Sequence, residues 1–222
     1  CLSNDLRAKM VDLPLGNLLL LILCSYLIGS IPTAYVIAKV NRIDIFKVGS
    51  GNMGATNVSR AIGIPAGALV WLIDSCKGIL AIMLGRALLT TEPAFGMALA
   101  AVLAIAGHNW SLFVLLLIGS IRGGKGAATA FGTLLMIAPT PVVAVSFFLC
   151  SAAVVITRHI SLGVLVLFGF SLPWVLVLVA QQQLPPSYSL YSVVTAMLIL
   201  YRFRENIYRL ANGTERRLGD RT

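Results

Sequence analysis

Charged residues are scarce in this sequence of 222 residues, and the scarcity excludes several classes of protein. Only 11% of the residues are Asp, Glu, Lys or Arg, whereas a soluble domain of this size carries roughly a quarter. The composition is 58% hydrophobic with a mean hydropathy of +0.91, which excludes a disordered chain and a soluble nucleotide-binding enzyme. The sequence therefore predicts an integral membrane protein.

Cysteine and histidine are also sparse, which bears on disulfides and metal sites. Four widely spaced cysteines do not form the framework of a disulfide-stapled secreted domain. No cysteine and no second histidine lies near His108 in the sequence, so we expect no metal site and no cofactor. Three cysteines stand in apolar segments, where small buried residues are the expectation; the full set is Cys1, Cys24, Cys76 and Cys150.

Acidic residues are the scarcer of the two charge classes, with 8 against 17 basic residues and a net charge of +9. Such an excess is typical of proteins that bind nucleic acid, but in a membrane protein Lys and Arg gather in cytoplasmic loops near anionic lipids. We therefore expect membrane lipids and no nucleic acid as partners. The chain begins at Cys1, Met10 is a plausible natural start, and residues 1–14 are predicted to be a flexible amino-terminal segment.

Apolar runs alternate with short polar segments along the chain. A helix needs about 20 residues to cross a hydrocarbon layer of roughly 30 Å. A polar, glycine-rich stretch follows the first run, and the turn Thr90–Pro93 separates the second run from the third. The clear runs are Leu15–Ala38, Ala66–Leu89, Ala94–Ile118, Leu162–Ala180 and Leu190–Tyr201.

A further stretch of about 30 uncharged residues after Gly126 is short for two spans and long for one. Ala138–Pro141 interrupts it in the middle. One crossing would put the Arg-rich carboxyl end on the side opposite to Lys39–Arg60 and Arg122–Lys125, whereas two short spans keep the basic segments together. The sequence thus predicts an all-α integral membrane protein with seven transmembrane helices, some short or broken, with its amino end outside and its carboxyl end cytoplasmic.

The first glycine segment, Gly49–Arg60 (GSGNMGATNVSR), is the most informative polar stretch. Three closely spaced glycines allow backbone N–H groups to converge on an anion such as phosphate. The spacing is not that of a Walker loop, and a flexible inter-helix loop is the alternative. The residues that favour anion binding are Ser50, Gly51, Asn52, Gly54, Thr56, Asn57 and Arg60, the last as a bidentate donor.

The second glycine segment, Arg122–Thr129 (RGGKGAAT), precedes an apolar helix. Gly123 and Gly124 bring the Lys125 ammonium and nearby amides together at the helix amino end, where an anion is favoured. The alternative is a basic anchor for lipid head groups, although an anchor gains nothing from glycines that are costly to order.

Further polar residues stand in or beside the apolar runs. His108 is either an interfacial residue or a base. Asp74 and Lys77, spaced i and i+3, are predicted to form a structural ion pair, with a proton or ion pathway as the minority alternative. Ser161 either caps the following helix or binds a phosphate. Arg202, Arg204 and Arg209 in the last segment are expected to meet lipid head groups by default, whereas the neutral Asn206 could face inward.

Taken together and in this order, these segments resemble the bacterial acyl-phosphate:glycerol-3-phosphate acyltransferases, membrane enzymes of phospholipid synthesis. The likeness covers about residues 21–215 and rests on the two glycine segments, Asp74-x-x-Lys77-Gly78, Gly107-His108 and RENIYRL. The chain departs from the family pattern at Ser111, where proline is usual, in the longer apolar stretch Leu112–Ile121, and at Phe203, where histidine is common.

The resemblance implies transfer of a fatty acyl group from acyl phosphate to the 1-hydroxyl of glycerol 3-phosphate, which gives lysophosphatidic acid and phosphate. It implies a multi-pass protein of the bacterial inner membrane with a cytoplasmic active site. Residues 15–210 would form one transmembrane catalytic domain and 211–222 a basic cytoplasmic tail. The phosphate-binding set would join the first glycine segment to Lys125, Ser161 and Asn206.

The residue pattern agrees with this chemistry, because an acyl phosphate has a good leaving group and needs no covalent intermediate on the enzyme. Either the departing phosphate or His108 would accept the proton of the attacking hydroxyl. The competing hypothesis is a small transporter or channel for phosphorylated metabolites or anions. Such a protein is expected to show an internal repeat and polar residues along several spans, and neither is visible in the sequence.

Overall fold

The computed structural model describes residues 14–219 and is all-helical over that range. The predicted flexible segment, except Pro14, lies outside the described residues, as do Cys1, Met10 and Arg221. Over the described range the helices are α1 (Leu15–Ser30), α2 (Thr33–Val40), α3 (Ala55–Ala61), α4 (Ile64–Leu88), α5 (Pro93–Asn109), α6 (Leu112–Ile118), α7 (Ala127–Ile137), α8 (Thr140–Thr157), α9 (Ile160–Ala180) and α10 (Tyr188–Ala211).

Five segments of the described chain are long and apolar enough to cross a membrane. They are Leu15–Val40, Ile64–Leu88, Pro93–Ile118, Thr140–Thr157 and Ile160–Ala180. The interrupted stretch after Gly126 folds as the short α7 followed by the full-length α8. At 1.5 Å per residue α7 is about 16 Å long, roughly half of a hydrocarbon layer. The expectation of an all-helical membrane protein is confirmed.

The first apolar run folds as two helices, α1 and α2, and not as one continuous helix. It breaks at Ile31–Pro32, because proline has no backbone N–H and its ring clashes with the preceding turn. The break leaves backbone carbonyls without helical donors, and other helices supply them. Lys77 Nζ donates to the carbonyls of Gly29 at 3.4 Å and Ile31 at 2.8 Å, and Ser111 Oγ donates to the carbonyl of Ser30 at 2.5 Å.

The third apolar run is also broken, and this break positions the site. Helix α5 ends at Asn109, and Ser111 caps α6 by accepting a hydrogen bond from the Val114 amide at 3.2 Å. The Ser111 amide donates to the Arg122 carbonyl at 3.2 Å. Ser111, the departure from the family pattern, therefore joins the end of α5 to the second glycine segment.

Helix α5 lies at the centre of the bundle and packs against α1, α4, α7 and α10. Glycine permits the closest approaches. Gly85 of α4 and Gly96 of α5 face each other so closely that a Cβ on either would strike the backbone of the other, and a Cβ at Gly107 would strike the Tyr26 carbonyl of α1. Small residues at helix crossings are typical of membrane bundles, where close packing replaces the hydrophobic effect.

The outer surface of the bundle is apolar, as expected for contact with lipid. On α8, Ile156 is 81% exposed and Val155 is 79% exposed. Cys76 is exposed, so the expectation that the cysteines are buried is wrong for this residue. It stands on the outer face of α4, away from the protein core. Cys24 and Cys150 are partly buried, and all three thiols are free.

Candidate active site

One cavity collects most of the polar residues that the sequence singles out. It opens between α3, α4, α7, α8, α9 and the end of α10. Gly51, Gly123, Gly124 and Lys77 do not line it. Its predicted lining residues are Ser50, Asn52, Gly54, Thr56, Asn57, Arg60, Asp74, His108, Lys125, Ser161 and Asn206.

Asn57 holds the first glycine segment in its folded shape. Its Nδ2 donates to the carbonyls of Ile45 at 3.3 Å, Val48 at 3.1 Å and Asn52 at 3.1 Å, and its Oδ1 accepts from the Ser50 amide at 2.9 Å. The side chain is therefore committed to the loop, although sequence reasoning assigned it to the phosphate. Asn57 shapes the cavity wall, and its neighbours Ser50, Asn52 and Thr56 line the cavity.

The second half of the first glycine segment is the helix α3, which the sequence treats as a loop. Thr56 and Arg60 stand one turn apart on it, so both side chains reach the cavity from the same face. Gly49 and Gly51 have φ values of 59° and 65°, in the left-handed region that glycine adopts most readily. These two glycines turn the chain into α3.

The second glycine segment is pressed against the end of α5. A Cβ at Gly123 would collide with the carbonyls of His108 and Asn109, and one at Gly124 would collide with the His108 ring. The Gly124 amide donates to the His108 carbonyl at 3.0 Å, and Gly126 has φ of 77°. Close backbone approach therefore explains the glycines on either side of Lys125.

Lys125 reaches into the cavity and lies among charged groups. Its Nζ donates to Asn206 Oδ1 and lies 5.0 Å from the centre of the Phe203 ring. Burial lowers the pKa of Lys125 to about 8, and the positive charge of Arg209 acts in the same direction while Glu215 opposes it. Phe203, where the family pattern commonly has histidine, thus supports the ammonium with its ring face.

A buried ion pair joins Asp74, which lines the cavity, to Lys77, which lies behind it. Lys77 Nζ is 2.6 Å from Asp74 Oδ1, and the side chains are 3% and 2% exposed. Lys77 Nζ is also 3.4 Å from His108 Nδ1, while Asp74 Oδ2 is 3.9 Å from the same nitrogen. Because an ammonium only donates, Nδ1 of a neutral His108 accepts, and the ring proton is on Nε2.

The carboxyl-terminal segment contributes a residue that sequence reasoning missed. Glu215 accepts hydrogen bonds from Ser161 Oγ at 2.9 Å, Asn206 Nδ2 at 2.6 Å and Arg209 Nε at 2.7 Å. Burial acts to raise the pKa of Glu215, but these three donors outweigh it and hold that pKa below its ordinary value. Ser161 does not cap α9, whose N-cap residue is His159, so the capping alternative is wrong.

Another part of the cavity is apolar and was not predicted as part of the site. The rings of Trp71 and Phe131 lie 5.4 Å apart, and those of Phe131 and Phe147 lie 5.7 Å apart. The wall therefore changes from charged and amide groups to aromatic and aliphatic groups within one cavity. Its further apolar lining residues are Cys150, Val154, Ile160, Val164, Leu167 and Phe168.

Arg209 of α10 and Arg216 of the basic tail also line the cavity, although neither gives a sequence signal for such a role. A sequence signal does exist for Glu215, which is the single acidic residue between Glu205 and Asp220 in an otherwise basic stretch. Within residues 14–219, no group of three or more His, Cys, Asp or Glu side chains is arranged to hold a metal ion.

Proteins of known sequence resemble this chain along nearly its whole length. The sequence model of the glycerol-3-phosphate acyltransferase family matches residues 19–213. Glycerol-3-phosphate acyltransferase 2 of Moorella thermoacetica is 42% identical over 205 residues, which cover 92% of this chain and 99% of the relative. Glycerol-3-phosphate acyltransferase 1 of Deinococcus radiodurans is 43% identical over 205 residues, with 91% and 96% covered.

Solved structures show a similar fold. The crystal structure of PlsY (YgiH), an integral membrane glycerol 3-phosphate acyltransferase, in its glycerol 3-phosphate form has a TM-score of 0.80 and is 33% identical. The similarity covers 90% of this chain and 95% of that chain. The lysophosphatidic acid form of PlsY has a TM-score of 0.77 at 32% identity over the same shares.

Proposed function

Because this chain belongs to the glycerol-3-phosphate acyltransferase family, we propose that it moves a fatty acyl group from acyl phosphate to the 1-hydroxyl of glycerol 3-phosphate. The observation that carries this proposal is the cavity, in which a cationic, amide-rich part is continuous with an aromatic and aliphatic part. Phosphate groups match the first part and a fatty acyl chain matches the second. The products are lysophosphatidic acid and inorganic phosphate.

The proposed reaction is one displacement at the acyl carbon. The 1-hydroxyl oxygen attacks the carbonyl carbon, an ester C–O bond forms, and the C–O bond to phosphate breaks. Two phosphorylated substrates carry about four negative charges near neutral pH, because the second pKa of a phosphate monoester is about 6. Arg60 and Lys125 screen this repulsion and hold the substrates in register, which supplies much of the rate enhancement.

The departing phosphate takes the proton of the attacking hydroxyl in this proposal. His108 is the alternative base, but its Nδ1 faces the Lys77 ammonium and its Nε2 bears a proton in the neutral ring. Nε2 also lies against Gly124, where a Cβ has no room. His108 therefore supports the second glycine segment and does not act as the base.

The proposed phosphate-binding residues act in three ways. Arg60 and Lys125 contribute charge, and the glycines contribute close backbone approach, since the N–H groups of Gly51, Gly54 and Gly124 donate to carbonyls of the protein itself. Short polar side chains contribute directed hydrogen bonds, with Asn57 acting through the loop that it holds. The full set is Ser50, Gly51, Asn52, Gly54, Thr56, Asn57, Arg60, Gly123, Gly124, Lys125, Ser161 and Asn206.

The proposed topology has seven spans, with the amino end outside and the catalytic face in the cytoplasm of a bacterium. Helices α7 and α10 add two spans to the five apolar segments. Helix α7 is a half-length span, and α10 is a span with a charged end. The basic segments then share one side, as the positive-inside rule favours. Residues 15–210 form one catalytic domain, and 211–222 form a basic cytoplasmic tail that supplies Glu215 to the site.

Two assays separate this enzyme from an anion transporter. Purified protein in detergent should form lysophosphatidic acid from acyl phosphate and glycerol 3-phosphate, and protein in liposomes should move no glycerol 3-phosphate across the bilayer. Flux in liposomes without acyl transfer in detergent would contradict the proposed function and favour the transporter.

A further inference from the structure

Arg202 makes contacts that an arginine anchored in lipid head groups does not make. Its Nε donates to the Gly124 carbonyl at 3.1 Å, and its Nη2 donates to the same carbonyl at 2.6 Å and to the Gly123 carbonyl at 3.3 Å. The guanidinium also lies 5.7 Å from the centre of the Trp110 ring. Arg202 is half-buried and turned toward the second glycine segment, so the expectation of a head-group contact is wrong for it.

These bonds fix the direction of two peptide groups. No peptide bond in residues 14–219 is cis, and in a trans peptide the carbonyl and the next N–H point in opposite directions. The Gly123 peptide shows the rule, because its carbonyl faces Arg202 while the Gly124 amide donates to the His108 carbonyl on the other side. The Gly124 carbonyl likewise faces Arg202, so the Lys125 N–H points away from Arg202.

The Lys125 amide is left to a ligand by this arrangement. Among residues 14–219, no group accepts a hydrogen bond from it. Lys125, Gly126 and Ala127 all line the cavity, whereas Arg202 does not. A fixed backbone N–H beside an ammonium is a favourable donor for a phosphate oxygen, because it needs no reorganisation when the anion arrives.

We propose that Arg202 is a positioning residue for phosphate binding, which orients the Lys125 amide by holding the carbonyls of Gly123 and Gly124. The proposal rests on the proposed function for the identity of the phosphorylated substrates. It differs from a catalytic role, since Arg202 acts from behind the loop and touches no substrate.

Arg204 provides a matched control on the same helix. Its Nη1 donates to the carbonyl of Tyr201 one turn earlier at 2.8 Å, and its guanidinium lies 4.5 Å from the centre of the Tyr201 ring. It is exposed and contacts no part of either glycine segment. Arg204→Gln therefore removes one positive charge at the same border without changing the loop.

The test is the affinity for inorganic phosphate, measured by titration calorimetry on monodisperse protein in detergent. Arg202→Gln should raise the Kd for phosphate about tenfold, because it removes the charge-assisted hydrogen bonds that hold the Gly123 and Gly124 carbonyls. Arg202→Lys should raise it comparably, because an ammonium keeps the charge but cannot hold two carbonyls in a planar fork. Arg204→Gln should leave the Kd unchanged.

An unchanged Kd in Arg202→Lys would overturn the proposal. An equal loss of phosphate affinity in Arg204→Gln would also overturn it, because the effect would then come from charge at the membrane border. If Arg202→Gln does not fold, Arg202→Lys decides. In the acyl-transfer assay the KM for a phosphorylated substrate should rise, whereas a smaller active fraction would lower only the apparent kcat. The expected phosphate affinities without any wild-type acyl transfer would refute the proposed function and retain the role of Arg202.

Discussion

Replacement of Lys125 tests the electrostatic account of the site most fully. The ammonium donates to Asn206, rests over Phe203 and stands among charged groups at the polar part of the cavity. In the proposed function, Lys125→Ala removes a charge that faces two phosphate dianions. Electrostatic stabilisation of this kind contributes a few kcal/mol per group, so turnover should fall on the order of 10²-fold.

The same residue predicts the alkaline side of the pH profile. Burial lowers the pKa of Lys125 to about 8, so the free enzyme carries the charge below that pH and loses it above. The substrate phosphates are already dianions above about pH 6. The kcat/KM, which reports the free enzyme, should therefore fall as the pH rises through about 8. Lys125→Arg should abolish this fall, because a guanidinium stays protonated throughout the range.

The assay is the initial rate of lysophosphatidic acid formation at subsaturating substrate, across pH values on both sides of the Lys125 pKa. Lys39→Ala is the matched control, since Lys39 is an exposed lysine that contacts Tyr35 and lies outside the cavity. Activity of Lys125→Ala within about threefold of wild type, far from the expected loss, would refute the reasoning. So would an alkaline fall that persists unchanged in Lys125→Arg.

Further substitutions at Arg60, at the Asp74–Lys77 pair and at Glu215 have defined outcomes. Arg60→Ala should lower kcat/KM by roughly 10²-fold, and Arg60→Lys should restore little of it, because an ammonium cannot form the bidentate fork; full activity of Arg60→Lys in the rate assay would contradict this. Asp74→Ala should lower the yield of folded protein in size-exclusion chromatography by leaving the Lys77 ammonium without its counter-charge. Exchange of Asp74 and Lys77 should not restore the yield, because a carboxylate at position 77 would face the carbonyls that Lys77 now binds; recovery would show that the pair alone matters. Glu215→Gln removes a negative charge from the cavity and should lower the KM for glycerol 3-phosphate roughly fivefold, for a charge interaction of about 1 kcal/mol; an unchanged or higher KM would argue against this role.

Much of the helical framework could be predicted from hydropathy, because a chain with so few charges must place its apolar runs either in the protein core or against lipid. The breaks within runs could not be placed in the same way. Pro32 disrupts the first run, yet the break is stable because Lys77 and Ser111 satisfy the carbonyls that it frees. Those donors lie far away in the sequence, so no local pattern reveals them.

The two glycine segments could be identified from residue types, and the structure brings both to one cavity. The tasks of individual residues within them depend on tertiary contacts. Asn57 is of a residue type that often binds ligands, but its side chain is hydrogen-bonded to the loop backbone. Arg202 is of a residue type that often contacts lipid head groups, but its side chain is hydrogen-bonded to the second glycine segment. Glu215 was not predicted as a site residue, because a carboxylate is not expected beside a phosphate site.

The most direct test of the central claim is the choice of acyl donor. Purified wild-type protein should convert glycerol 3-phosphate to lysophosphatidic acid with acyl phosphate as the sole donor, release inorganic phosphate in equal amount, and show no turnover with acyl-CoA. Robust turnover with acyl-CoA alone, or no turnover with acyl phosphate by monodisperse protein, would contradict the account.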